Sequence, residues 1–193
     1  FKDAAGENIS EYIQKLRTEK AKELLAEAGY PNGFSTTLWV NDNQSRIEMC
    51  QAIQAMLLDI GVQCSVEVLE FGSFISRTTA GEHDMAYFGW TTSSGDADYT
   101  YFSMMHSSQV GYPGNVACLL TKEVDRLIEA GRETGDPEKR MEYYDELEKL
   151  LGPISPYATL YYDSVNVAGS AKVTGFTTDP NGYHRLRNVE VGA

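Results

Sequence analysis

Residues 34–69 read FSTTLWVNDNQSRIEMCQAIQAMLLDIGVQCSVEVL, in which two extended segments flank a helical one. Residues 34–40 and 62–69 alternate in side-chain character, as strands do. A helix is predicted at about 45–60, and its apolar residues lie on one side. These residues are Cys50, Ile53, Met56, Leu57 and Ile60. Strand, helix and strand with short connections form a βαβ unit, which predicts a parallel sheet with a right-handed crossover.

The segments on either side extend this pattern. Residues 10–28 place apolar residues near a 3.6-residue period, and Gly29 predicts where that helix ends. Thr18 could cap a second helix, so the choice between one helix and two stays open. Residues 71–79 are predicted as a short helix and 84–88 as a strand, which adds a third strand to the sheet.

The second half of the chain is predicted to be helical and then extended. The predicted helices cover 99–105, 121–132 and 137–151, with a loop at 107–115 between the first two. Two predicted strands follow at 157–167 and 187–191, separated by a turn at 178–182.

The composition is that of an acidic globular protein. There are 28 acidic and 16 basic side chains, which leaves a formal charge of −12. Such a charge repels phosphate backbones, so we expect no nucleic-acid partner. No apolar run approaches the ~18 residues that a membrane span needs. We expect a monomer.

The three cysteines have neither metal-binding nor redox spacing. Cys50 lies on the apolar side of the predicted helix and Cys64 on the apolar side of the next strand, so both are predicted to be free, buried thiols. The pattern makes no prediction for Cys118.

A polar loop follows the predicted third strand and is the candidate ligand-binding segment. Residues 89–98 read GWTTSSGDAD, an indole followed by four hydroxyl side chains, a glycine and two carboxylates. Open α/β sheets bind ligands at the carboxyl ends of their strands. The candidate ligand-binding residues are Trp90, Thr91, Thr92, Ser93, Ser94, Asp96 and Asp98. The alternative is a simple connection, in which Trp90 anchors the core and Gly95 and Asp96 form a turn.

Enzymatic and metal-dependent interpretations have little support in the sequence. Asp96 and Asp98 have no evident nucleophile or acid partner, and no nucleophile elbow or phosphate-binding glycine loop occurs. The histidines lack metal-ligand spacing and are predicted to be surface or loop residues: His83, His106 and His184. We therefore expect no catalytic residue, no metal and no cofactor.

Several segments together resemble one protein family in order and spacing. These segments are 21–34, 54–62, 81–84, 89–99, 136–140 and 188–191. They resemble the C-terminal lobe of the peptide-binding, family 5 type of bacterial solute-binding proteins that serve ABC importers. The resemblance covers nearly the whole chain from about residue 18 onward.

The resemblance implies a fold and a division of the chain. It implies an α/β fold, namely one lobe of a type II periplasmic-binding-protein-like fold with a mostly parallel sheet flanked by helices. Residues 1–17 would be a lead-in helix, 18–155 the C-terminal lobe, and 156–193 terminal strands near the hinge or returning toward an N-terminal lobe. Family members are longer and close two lobes over a ligand.

The resemblance also implies a function outside the cytoplasm. We expect binding of a peptide or similar small solute and delivery to ABC permease subunits. We also expect a periplasmic location, or a lipid anchor on the outer face of the cytoplasmic membrane.

Dipeptide and oligopeptide binders of the family pair an aspartate with the ligand's α-amino group at the position of Ser93. Either Asp96 or Asp98 compensates for the missing carboxylate, or the ligand lacks a free amine at that end. The loop before the second helix also lacks the arginine of dipeptide binders, and Arg46 is a doubtful substitute.

A rival interpretation is a stand-alone acidic α/β module that binds another protein through Trp39, Trp90 and its tyrosines.

Overall fold

The computed structural model describes residues 9–164, 166–179 and 181–192. Residues 1–8 of the predicted lead-in helix, Val165 of a predicted strand and Pro180 of the predicted turn lie outside the described residues. Backbone contacts divide the chain into two compact units, one ending at Phe88 and the other beginning at Gly89.

The first unit contains the predicted βαβ arrangement. Its elements in order are α1 (Ile9–Glu27), β1 (Ser35–Asn41), α2 (Gln44–Asp59), β2 (Gln63–Leu69), α3 (Phe71–Thr79) and β3 (Met85–Ala86). The segment around Thr18 is thus part of one helix. Asn43 caps α2 by accepting a hydrogen bond from the backbone N–H of Arg46 at 3.1 Å, which fixes where the helix begins.

The three strands form a parallel sheet in the order β2-β1-β3. β1 and β2 pair along their full length, from Ser35 opposite Gln63 to Asn41 opposite Leu69. β3 is shorter than the predicted strand at 84–88, because pairing with β1 continues only to the Tyr87 N–H, which donates to Trp39 O at 2.8 Å. The parallel sheet is confirmed.

The core of the first unit lies between α2 and one face of the sheet. Its buried residues are Leu38, Val40, Cys50, Cys64 and Tyr87. Cys50 and Cys64 are free and buried, as predicted, whereas Cys118 is free and exposed. Met56 was predicted on the apolar side of the helix but is 59% exposed, and Val68, which shares the Cys64 face of β2, is 48% exposed.

One carboxylate fastens the start of β1 to the segment before β3. Asp84 Oδ2 accepts hydrogen bonds from the Thr37 backbone N–H at 3.0 Å, the Thr37 hydroxyl at 3.1 Å and the Thr36 hydroxyl at 3.2 Å. These donors, the Thr37 N–H first, lower the pKa of Asp84 from its ordinary value.

Replacing this carboxylate should destabilise the sheet most at neutral pH. Because the folded state lowers the pKa of Asp84, its contribution is present above the unfolded-state pKa and is lost as pH falls through the folded-state pKa. Asp84→Asn should lower the Tm by a few degrees, roughly, at pH 7. The difference from wild type should shrink in acid. Asp42→Asn is the control, since no hydrogen bond of the exposed Asp42 side chain occurs among the described residues. Equal Tm values for both variants in thermal unfolding would contradict the role of Asp84.

The second unit is mainly helical. Its elements are α4 (Ala97–Met105), a 3₁₀ turn (Ser107–Gln109), α5 (Lys122–Glu133), α6 (Pro137–Ile154), β4 (Val173–Thr174), β5 (Thr177–Thr178), β6 (His184–Arg185) and β7 (Glu190–Val191). α4 begins two residues before the predicted start because Asp96 caps it. α6 includes Pro153 in its last turn and ends at Ile154, beyond the predicted end at 151.

α5 and α6 pack together around an apolar core. The buried residues of this core are Leu119, Val124, Leu127, Ile128, Tyr144, Leu147 and Leu151. Gly131 lets α5 approach α6, because a Cβ at this position would lie 2.7 Å from the Tyr144 ring. The two predicted helices at 121–132 and 137–151 are therefore confirmed and form one packed pair.

The C-terminal segment differs from the prediction. The described residues of 157–167 form no strand and pair with no other strand, so that prediction is wrong. The predicted strand at 187–191 is reduced to β7, which pairs antiparallel with β4, while β5 pairs antiparallel with β6. Tyr157 is held instead by its hydroxyl, which donates to Met104 O at 3.1 Å and Gly114 O at 3.2 Å.

His106 was predicted to be a surface or loop histidine, but its side chain is buried. It lies at the end of α4 and is 7% exposed. Its Nδ1 accepts from the Ser108 N–H at 3.1 Å, and its Nε2 lies 3.3 Å from Glu129 Oε1. Burial is tolerated because both ring nitrogens have polar partners.

No helix among the described residues is both long and apolar enough to cross a membrane.

Candidate functional site

The 89–98 loop begins the second unit and exposes most of its hydroxyl groups. Thr91, Ser93 and Ser94 are exposed, whereas Thr92 is half-buried. The Thr92 hydroxyl donates to Asp96 O at 3.1 Å, and the Asp96 N–H donates to the Ser94 hydroxyl at 3.2 Å. The loop is therefore held in shape by its own side chains while other hydroxyls face solvent.

Trp90 is half-buried and stacks on Tyr99 from α4. The two ring centroids are 5.6 Å apart with an interplanar angle of 23°. Its indole N–H is buried and has no hydrogen-bond partner among the described residues. Trp90 thus has packing of the kind expected for an anchor, and the prediction that it faces ligand stays a prediction.

Asp96 joins the loop to α6 through an ion pair. Its two carboxylate oxygens receive Arg140 Nη1 at 2.9 Å and Arg140 Nη2 at 2.5 Å, a bidentate arrangement. It also accepts the Asp98 N–H at 2.8 Å as the cap of α4. The hydrogen bonds from Arg140, and then from Asp98, lower the pKa of Asp96 to about 2. The turn at Gly95 and Asp96, which was part of the alternative interpretation of this segment, is present, with Gly95 at φ +72°.

The two arginines that pair with the loop are themselves fixed by the helices. Arg140 Nε donates to Gly131 O at 3.1 Å, and Arg140 Nη2 reaches the Tyr144 hydroxyl at 3.1 Å. Arg132 Nε lies 3.1 Å from Asp98 Oδ1, and its guanidinium lies 3.8 Å from the ring centre of Phe102. The contact with Asp98 is an ion pair by distance alone, since Asp98 Oδ1 is buried and has no hydrogen-bond partner among the described residues. Both acidic groups of the loop consequently have an arginine partner.

An open pocket adjoins these ion pairs. It has a volume of about 480 Å³ and is bordered by Asp98, Arg132, Arg140 and the α5–α6 connection at 134–137. Its wall is charged and polar, which is suited to hydrogen bonding with a polar group.

The sequence did not reveal several residues that shape the loop. These residues are Tyr99, Arg132, Arg140 and Asn181, whose Nδ2 donates to Ser93 O at 3.3 Å. Arg140 lies in the segment 136–140 used for the resemblance, but its 44-residue separation from Asp96 gives no local pattern. The two carboxylates of the loop, with no basic side chain beside them in the sequence, were the feature that indicated basic partners elsewhere in the chain.

The Arg46 side chain is held at the end of β1 by a neutral partner. It lies in the first turn of α2, and its Nη1 donates to Asn41 Oδ1 at 2.9 Å. Across the described residues, no group of three or more His, Cys, Asp or Glu side chains is arranged to hold a metal ion.

Replacing Arg140 should loosen the loop. Arg140→Lys keeps the charge but loses the bidentate contact, so we expect a loss of about 1 kcal/mol in the free energy of unfolding, allowing for solvent screening. Because the pKa of Asp96 is lowered, the contribution of this pair is full above the ordinary aspartate pKa and declines as pH falls toward about 2. Urea unfolding at pH 7 and pH 3 measures both effects.

Arg126→Lys is the matched control for this experiment. Arg126 pairs with Glu123 on the exposed surface of α5, at 2.7 Å, where water screens the pair, so its replacement should leave the free energy of unfolding close to that of wild type. A loss for Arg140→Lys no larger than that of the control would contradict the proposed role of the pair.

The family to which the chain belongs is shown by comparison with known sequences. Residues 2–112 match the bacterial extracellular solute-binding proteins, family 5, in the part of the family designated Middle. The chain belongs to this family, and the prediction of one lobe of a type II periplasmic-binding-protein-like α/β fold is confirmed.

The chain is similar to two curated proteins whose names state what they bind. The chain is 33% identical over 181 residues to the dipeptide-binding protein of Escherichia coli K12, covering 90% of this chain and 33% of the relative. It is 35% identical over 170 residues to the glutathione-binding protein GsiB of Salmonella typhimurium LT2, covering 84% of this chain and 33% of the relative.

A solved relative is the periplasmic binding protein DppA of Helicobacter pylori in complex with the peptide STSA. It shares 32% identity with a TM-score of 0.65, covering 72% of this chain and 27% of that one. The chain spans about a third of the length of the curated relatives it matches.

Proposed function

We propose that the protein is the solute-binding component of an ABC importer and that this chain supplies its C-terminal lobe. In this proposal, residues 18–155 form the body of the lobe, and 156–193 return toward the hinge or an N-terminal lobe. Family membership carries the proposal, because the named relatives bind dipeptides, glutathione or a short peptide. The ligand is a peptide or a similar small solute, held between this lobe and a second one.

The 89–98 loop is suited to hold one side of such a ligand. The hydroxyls of Thr91, Ser93 and Ser94 are exposed and can donate or accept hydrogen bonds. Thr92, Asp96 and Asp98 hold the loop through the contacts described above, so less conformational freedom is lost on binding. Trp90 supplies a flat aromatic group next to these hydroxyls.

The remaining parts of the proposal concern location and partners. The intact protein acts outside the cytoplasm, free in the periplasm or anchored by lipid, and its closed form delivers solute to permease subunits. It acts as a monomer and catalyses no reaction. Lobe closure around the ligand provides the signal that the permease recognises, since a ligand shifts the population toward the state that it binds better.

Isothermal titration calorimetry on the complete protein tests this function. We expect short peptides to bind and Trp90→Ala to weaken that binding by about tenfold or more, because an aromatic contact is removed. Tyr112→Ala is the control, since Tyr112 is 63% exposed and lies outside the 89–98 loop. Absence of binding to any peptide of two to four residues, the lengths from the dipeptides to the STSA peptide of the relatives, would refute a peptide ligand.

A further inference from the structure

The 89–98 loop carries no unpaired negative charge. Its two carboxylates belong to Asp96 and Asp98, which pair with Arg140 at 2.5 Å and with Arg132 at 3.1 Å. The other side chains of the loop are an indole, hydroxyls, an alanine methyl group and glycines. The surface that it exposes is therefore electrically neutral and able to form hydrogen bonds.

The ion pairs also resist being exchanged for a ligand cation. If a ligand ammonium paired with Asp96 in place of Arg140, Arg140 would keep only neutral partners, the Gly131 carbonyl and the Tyr144 hydroxyl. Arg140 would then lose its counter-charge in a site where it is already half-buried. Asp98 differs, because Arg132 is exposed and water could solvate it, but the Asp98 oxygen that faces Arg132 is itself buried.

A neutral group fits the exposed hydroxyls better than an ammonium does. The hydroxyl of Ser93 is exposed and has no hydrogen-bond partner among the described residues, so it can serve a ligand amide as donor or acceptor. An ammonium enclosed against it would lose water without gaining a counter-charge. An amide loses far less, because hydroxyls replace its bonds to water.

We propose that the ligand presents a neutral hydrogen-bonding group to the 89–98 loop, as a peptide with an acylated amino end does, and not a free ammonium. This inference rests on the proposed solute-binding function. It narrows the substrate class to peptides, or peptide-like solutes, whose amine at this end is blocked.

Matched peptide pairs test the proposal in the complete protein. Calorimetry is run with alanine dipeptide, tripeptide and tetrapeptide, each with a free and an acetylated amino end. We expect the acetylated member of a pair to bind at least as tightly as the free one. A preference of about tenfold or more for free amines would overturn the inference while leaving the solute-binding function in place. Absence of binding by every peptide would overturn both.

A charge introduced at Ser93 gives a second, independent readout. Ser93→Asp places a carboxylate with no described arginine partner on the exposed loop, and it should shift the free-to-acetylated affinity ratio toward free amines by about tenfold. Ser93→Asn introduces a side chain of the size of Asp without its charge, so it should not shift the ratio toward free amines, whatever it does to the affinity for both members of a pair. An unchanged ratio in Ser93→Asp, with a circular dichroism spectrum like that of wild type, would show that this loop does not face the ligand's amino end and would refute the inference.

Discussion

Gly33→Ala is expected to lower the free energy of unfolding by about 2–5 kcal/mol, the sum of backbone strain and overpacking. Gly33 has a φ of +73°, which an alanine adopts only with strain. A Cβ at this position would lie 1.9 Å from the carbonyl oxygen of Gly61, so one of the two backbones must move. The contact occurs next to the first hydrogen bond between the two strands, from Gln63 N–H to Phe34 O at 2.8 Å. Urea unfolding followed by circular dichroism measures the loss.

Gly29→Ala separates strain from the steric clash. Gly29 has a φ of +91° at the end of α1, but no atom lies within 4 Å of the position that its Cβ would occupy. This variant should therefore lose only about 1–2 kcal/mol. Equal losses for the two variants would show that the approach of Gly33 to Gly61 does not constrain the start of the sheet.

Leu147→Ala should remove about 3 kcal/mol from the stability of the helical unit. The Leu147 side chain is 0% exposed and belongs to the core between α5 and α6, with Leu127 and Ile128. Truncation leaves a cavity because both helices are fixed by their other contacts, and the cost combines lost burial with that cavity. Urea unfolding followed by helical circular dichroism at 222 nm, the usual helix band, is the measurement.

Two further variants make this result specific. Met141→Ala changes the same helix at a side chain that is 63% exposed and should alter stability by less than about 0.5 kcal/mol. Leu147→Met preserves volume and should cost less than about 1.5 kcal/mol. A loss for Leu147→Ala as small as that for Met141→Ala would contradict the packing described for this core.

Local periodicity predicted the elements that have a clear apolar repeat and clear end signals. The βαβ segment and the helices α5 and α6 follow from repeats of apolar residues and from clear end signals such as Gly61 and Asp136. The segment at 157–167 has the β-branched and aromatic residues of a strand. A strand also needs a neighbour to pair with, and the described residues provide none, so composition alone misled the prediction.

The candidate loop was recognised from its composition, but its electrostatics were not. The sequence shows Asp96 and Asp98 as two carboxylates next to hydroxyls, which left open whether either could bind a ligand amine. Arg132 and Arg140 form ion pairs with those carboxylates only in the folded chain, because tertiary packing brings together residues that are far apart in the sequence. The predicted ligand contacts of the loop therefore remain predictions to be measured.

The buried thiols of Cys50 and Cys64 can be used to detect local unfolding of the first unit. Burial raises the pKa of Cys50 to about 11, and Cys64 is shifted in the same direction, so neither forms a reactive thiolate readily while folded. Cys118 is exposed. A maleimide reagent should label Cys118 at once and the other two only when the sheet separates from α2. The rate of that slow labelling would give the frequency of local unfolding without any introduced probe.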